Sequence, residues 1–134
     1  MASRTKARRL AIDILYQSDV TGSGGHAVLV EWERAGREIP PFTRELVEGV
    51  ADNLAQLDGA LGAHSEGWRV QRMASLDRTI LRVATFELLI LGTPVGAAID
   101  EAVKAAKDLS TEDSGRFVNG VLGRVAEDLD QAKG

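Results

Sequence analysis

Four cations, Arg4, Lys6, Arg8 and Arg9, stand within the first nine residues of this 134-residue chain, and no acid appears before Asp13. Arginine and lysine neutralise phosphates, and Tyr16, about two turns further on, offers a ring on which an unpaired base can stack. The chemistry on offer is binding of single-stranded nucleic acid. The same residues also fit a plainer reading, a solubilising tail with Tyr16 in the core. Cations at a helix N-terminus oppose the macrodipole, a conflict that hints at a partner for the charges. The net charge is −4, so without these four the remainder stands at −8. A basic end sits on an acidic body.

Other chemistries find little support. Cysteine is absent, which excludes disulfides, thiolate metal sites and thiol nucleophiles. The two histidines, His26 and His64, lie far apart without a second ligand at helical spacing. No GxSxG, HExxH, P-loop or GxGxxG pattern occurs. The glycine-rich VTGSGG at 20–25 lacks the strand before and the Lys-Ser/Thr after that a phosphate cradle needs, and reads as a linker. The expectation is no enzyme, no metal and no cofactor. No apolar run approaches the ~18 residues that span a bilayer, and no secretory h-region opens the chain; a cytoplasmic protein without membrane contact is expected.

These residues must be positioned by helices. Hydrophobic residues at 44% and charged residues at 27% fit one globular domain over 1–134, and an aromatic share of 4% leaves the core to Ala, Leu and Val. Apolar spacing of three and four predicts a helix over 4–19, with Ser3 as N-cap, and a weaker one over 26–37 anchored by Val28, Leu29 and Trp32. A continuous helix follows from Phe42 to about Leu61, then an irregular stretch over 62–75 with room for one helical turn. Leu76 to Leu91 is nearly apolar all round and predicts the central buried helix. Gly92 suits its left-handed C′ position, Thr93 the next cap and Pro94 the first turn of a helix to Leu109. That helix should turn Val95, Ile99, Ala102, Val103, Ala106 and Leu109 inward, with Asp100 and Lys104 paired outside. Ser110 and Asp113 stand at capping-box spacing before a last helix bearing Val118, Val121, Leu122, Val125 and Leu129. Residues 1–9 read as a basic segment and 130–134 as a frayed tail. The fold class is all-α, with about six or seven helices.

Four segments, in order, resemble the NusB family: RLAIDILYQSDV (Arg9 to Val20), ELVEGVADNLAQLD (Glu45 to Asp58), LDRTILRVATFELL (Leu76 to Leu89) running on to VGAAIDEAVKAAKDLSTEDS (Val95 to Ser114), and FVNGVL (Phe117 to Leu122). No single motif decides; the joint spacing does. The resemblance implies a compact helical bundle of two packed subdomains. It also implies a transcription antitermination factor that binds single-stranded boxA RNA with ribosomal protein NusE and, through other Nus factors, helps RNA polymerase through terminators, notably on rRNA operons.

Carried over by position, the family's RNA surface falls on Arg4, Lys6, Arg8, Arg9, Tyr16, Asp113, Arg116 and Phe117, although Thr5 stands where some members have another cation. Asp77 and Arg78 fall where the family meets NusE. Alternatives remain for each. Asp113 either contacts RNA or caps the last helix, Asp77 and Arg78 equally fit a capping role, and Asn119 and Gly120 read as structural. Four phosphate contacts would give a salt slope near −2.8 and a roughly 50-fold loss of affinity between about 50 and 200 mM salt. The rival class is a protein–protein adaptor or homodimer with minor RNA contact, using Trp32 and Trp68. Some ribosomal RNA methyltransferases carry a NusB-like domain before a catalytic one, for which this chain has no room.

Overall fold

The computed structural model describes residues 3–65, 67 and 69–133, with Lys133 as backbone only. They form seven α-helices, α1 (Arg4–Thr21), α2 (Gly25–Arg34), α3 (Pro41–Asp52), α4 (Leu54–His64), α5 (Ser75–Phe86), α6 (Val95–Leu109) and α7 (Glu112–Lys133). A 3-10 turn (Val70–Arg72) precedes α5 and a π-helical turn (Glu87–Leu91) extends it. Among the described residues there is no strand.

Helices α1, α2 and α3 pack together as one layer, and α4, α6 and α7 as another. Helix α5 lies between and touches α1, α3, α4, α6 and α7. The reason is its composition. Thr79, Ile80, Leu81, Val83, Ala84, Thr85 and Phe86 are all buried, so α5 needs neighbours all round. One core results, with Ile14, Leu46, Leu57, Leu61, Ile80, Leu81 and Leu122 fully enclosed. Each such side chain contributes roughly 1.5–3 kcal/mol of transfer free energy before chain entropy is counted.

Several local expectations are corrected by the structure. The helix expected over 42–61 breaks at Asn53 (φ −126°), where the Asn53 side-chain amide donates to the Gly49 carbonyl at 2.7 Å. An asparagine amide that takes a backbone acceptor competes with the helix ladder. Gly92 does adopt the left-handed conformation (φ 71°), but Thr93 does not cap α6. Its hydroxyl donates to Glu87 Oε1 at 3.2 Å, and Pro94 occupies the cap position without a side-chain bond. The buried face of α6 is Ala98, Ala102, Ala105 and Ala106; Ile99 and Val103 are half-buried, while Val95 and Leu109 are exposed. Small residues are favoured there because α6 and α7 lie closely side by side. Asn119 is exposed and Gly120 meets no close backbone, so neither has the structural role expected of it. Residues 130–133 are the last turn of α7, and Trp68 lies outside the described residues.

Two glycines separate packing from propensity. A Cβ at Gly49 would fall within the Phe86 ring, whereas Gly123 has nothing near the place of a Cβ. Gly49→Ala should therefore cost about 1–3 kcal/mol by overpacking, although alanine is the better helix former. Gly123→Ala should stabilise by up to ~1 kcal/mol. Urea unfolding of both variants checks this, and equal shifts would remove the packing argument.

Candidate nucleic-acid interface

Ser3 begins α1 as expected, its hydroxyl accepting from the Lys6 backbone N–H at 3.1 Å. One turn of helix then distributes the basic run in three dimensions. Arg4 and Lys6 are exposed. Arg8 turns inward: its Nε and Nη2 donate to the two Glu87 carboxylate oxygens at 2.9 and 2.8 Å, and its Nη1 lies 3.9 Å from Glu101. The Glu87 side chain is 1% exposed and that of Arg8 10%. The hydrogen bond to Glu87 outweighs desolvation and, with the charges of Glu87 and Glu101, raises the Arg8 pKa above its ordinary value. Arg9 pairs with Asp108 at the end of α6 at 3.0 Å. The donors of Arg8, which was expected to contact phosphate, already serve a buried acid. Arg9 shares its charge with Asp108. Two outward cations remain of the four.

Tyr16 resolves differently. Its neighbours Ile14 and Leu15 are buried, yet Tyr16 is 42% exposed, as is Val20 one turn on at 59%. Tyr16 is a surface aromatic and not part of the core.

At the start of α7, the cap belongs to Thr111, whose hydroxyl accepts from the Ser114 backbone N–H at 3.0 Å. The proposed Ser110–Asp113 capping box does not form. Asp113 is exposed and pairs with Arg116 one turn along. Phe117 is half-buried and lines a hollow of about 300 Å³ with Met73, Ala74, Asp77, Asp113 and Ser114. Asp77 Oδ1 is buried there with no hydrogen-bond partner among the described residues.

Arg78 is taken up inside the fold. It donates to the carbonyls of Val70 and Met73 at 2.9 and 3.1 Å and to Asp19 Oδ2 at 2.6 Å. Arg82 joins Asp19 to Asp58 of α4. Arg78, expected at a partner surface, has a guanidinium that fastens the start of α5 to the end of α1. Burial pushes the Asp19 carboxyl up, but hydrogen bonds from Arg78 and Ser75 and the charges of Arg78 and Arg82 prevail and hold it below its ordinary 3.8. Trp32 is likewise less available than expected, because its indole N–H donates to Gln17 at 3.0 Å and Arg37 lies 4.0 Å over its ring.

Two residues of consequence escaped the sequence reading. Glu87 had a signal, being the one acid between Phe86 and Leu91 in an otherwise apolar run that had to be buried. Phe42 had none beyond its type. Its ring centre lies 4.1 Å from Arg4 Cζ and 5.3 Å from Arg8 Cζ.

Comparison with known proteins bears on the family and the fold. The sequence pattern of the NusB family matches residues 5–127. The transcription antitermination protein NusB of Leifsonia xyli is 45% identical, with 95% of this chain and 93% of that protein covered. That of Anaeromyxobacter dehalogenans is 42% identical, over 97% and 94%. Among solved structures, T. maritima NusB superposes with a TM-score of 0.84 at 30% identity, covering 94% of this chain and 92% of that one. A chain in a crystal structure of antitermination factors NusB and NusE in complex with dsRNA gives 0.82 at 25% identity, covering 93% and 96%.

The buried pairings carry two tests. Glu87→Ala leaves the Arg8 charge enclosed and should cost about 3–5 kcal/mol in urea unfolding; a loss under 1 kcal/mol would contradict the clamp. Asp19, with its lowered pKa, contributes stability at neutral pH that is lost as pH falls through the folded value. Stability should therefore drop as pH falls below about 4, and Asp19→Asn should flatten that drop. Parallel acid titrations of the two proteins would show the idea to be wrong.

Proposed function

The chain belongs to the NusB family, and from that premise we propose that it is a transcription antitermination factor that binds boxA-type single-stranded RNA together with NusE. In this reading it acts in the cytoplasm, within an RNA polymerase elongation complex held by other Nus factors, notably on rRNA operons. Its task is recognition and not catalysis, and the whole chain works as one RNA-binding domain. Among the described residues no helix is long and apolar enough to cross a membrane.

The observation that carries the reading is Tyr16, a large aromatic left 42% exposed on α1 directly after the buried Ile14 and Leu15. A stacking platform needs this exposure, and a core residue does not have it. Arg4 and Lys6 at the start of the same helix supply attraction to phosphates. The Arg9–Asp108 pair brings α1 beside the end of α6, where the turn into α7 presents Asp113, Arg116 and Phe117. RNA laid across α1 and the start of α7 would meet cations first, then Tyr16 and Phe117. The hollow at Asp77 stays as the candidate meeting place with NusE, with Met73, Ala74 and Phe117 giving it an apolar lining. The rival reading, an adaptor or homodimer, would draw on Ile90 and Val95, exposed at either side of the α5–α6 turn.

Two outward cations change the expected salt dependence. At ~0.7 per phosphate the slope becomes about −1.4, or about 7-fold weaker binding between about 50 and 200 mM salt. Tyr16→Ala should cost ~1–3 kcal/mol of RNA affinity with the fold intact by circular dichroism. Fluorescence anisotropy with boxA RNA and a scrambled strand, with and without NusE, measures both. Equal affinity for the two strands in the presence of NusE would sink the specific reading, and light scattering of the mixtures separates it from the adaptor.

A further inference from the structure

Arg4 and Arg8 lie one turn apart on α1 and share one aromatic neighbour. The Phe42 ring centre is 4.1 Å from Arg4 Cζ and 5.3 Å from Arg8 Cζ. The edges of the two guanidinium groups have opposite fates. That of Arg8 is filled by Glu87. That of Arg4 has no hydrogen-bond or ion-pair partner among the described residues, and the side chain is exposed. Stacking on a ring uses the face of a guanidinium and leaves its in-plane N–H donors for a phosphate.

The ring does not depend on Arg4 for its place. Pro41 starts α3, and the Thr43 hydroxyl, fully buried, donates to the Ala7 carbonyl of α1 at 2.8 Å. Phe42 is thereby held beside α1 by the bond of the next residue, and its half-buried ring packs against the core. We propose that Phe42 is a positioning residue for RNA binding, its ring holding the Arg4 guanidinium by the face so that the free edge is presented to a backbone phosphate. This rests on the RNA-binding reading above. A long arginine side chain at a helix start samples many rotamers, and ordering it before RNA arrives removes part of the entropic cost of the contact. Lys6, two residues away and exposed, has no such platform among the described residues and offers a point charge on a flexible stem.

The test is a double-mutant cycle in boxA RNA affinity, read by fluorescence anisotropy on the full chain with NusE, thermal unfolding confirming that each variant is folded. Phe42→Leu keeps an apolar plug but removes the ring, and should weaken binding about 3- to 5-fold. Phe42→Tyr should restore the wild-type affinity. In an Arg4→Ala background Phe42→Leu should have no further effect, whereas with Lys6→Ala the two losses should multiply. A general structural defect would multiply with both. Wild-type affinity in Phe42→Leu, or losses that multiply with Arg4→Ala, overturns the positioning role and leaves the RNA reading standing. Failure of the wild-type complex to prefer boxA over the scrambled strand overturns both.

Discussion

A carboxylate buried to 1% exposure on the π-helical turn after α5 has to be neutralised, and among the described residues the cation that hydrogen-bonds to it is Arg8 of α1. Most of the arrangement around the candidate surface follows from that constraint. Removing a charge from water costs several kcal/mol, which is recovered only when geometry and hydrogen bonding are both good. Glu87 meets this with two bonds from Arg8 and one from Thr93. The backbone cooperates, because the Glu87 carbonyl accepts the N–H of both Gly92 and Thr93 and so closes the turn. With Arg8 fixed to the far end of α5, and Asp19 fixed to Arg78 at the near end, α1 runs antiparallel to α5. Sliding α1 by one turn would leave both ends mispaired.

The same clamp explains how an acidic protein presents a basic face. A helix turns about 100° per residue, so a run of cations at its start cannot all point one way. Arg8 goes to the core, Arg9 leans on Asp108, Thr5 donates to Glu101, and Arg4 and Lys6 face outward. Glu87 and the acids of α6 thus absorb half of the basic run and hold the helix in place. What remains outward is small in charge and stands about three turns from Tyr16 on the same helix.

At the other side of the surface, small changes in capping matter. Because Thr111 closes the first turn of α7, Asp113 is released to the surface with Arg116, and Phe117 leans into the hollow beside Met73 and Asp77. Gly115 permits this turn to sit against α6, since a Cβ there would press on the Lys107 side chain. The junction of α6 and α7 is therefore set by a hydroxyl and a missing methyl group.

Helix class, helix order and most helix ends were legible from the chain alone, since apolar spacing, Ser3, Pro41 and Gly92 act within a few residues of themselves. So was the family, and with it the identity of the surface residues to examine. Element breaks governed by side-chain competition were less visible: Asn53 reads as an ordinary helix residue until its amide takes the Gly49 carbonyl. The division of the basic run was not visible at all. Whether an arginine meets RNA, a buried glutamate or a phenylalanine ring depends on Glu87, Glu101 and Phe42, which lie 34 to 93 residues away from Arg8 in the chain. The sequence by itself determined that cations stand at the start of α1. Only tertiary packing decided which of them are free, because an arginine's availability is a property of the charges and rings that folding brings to it.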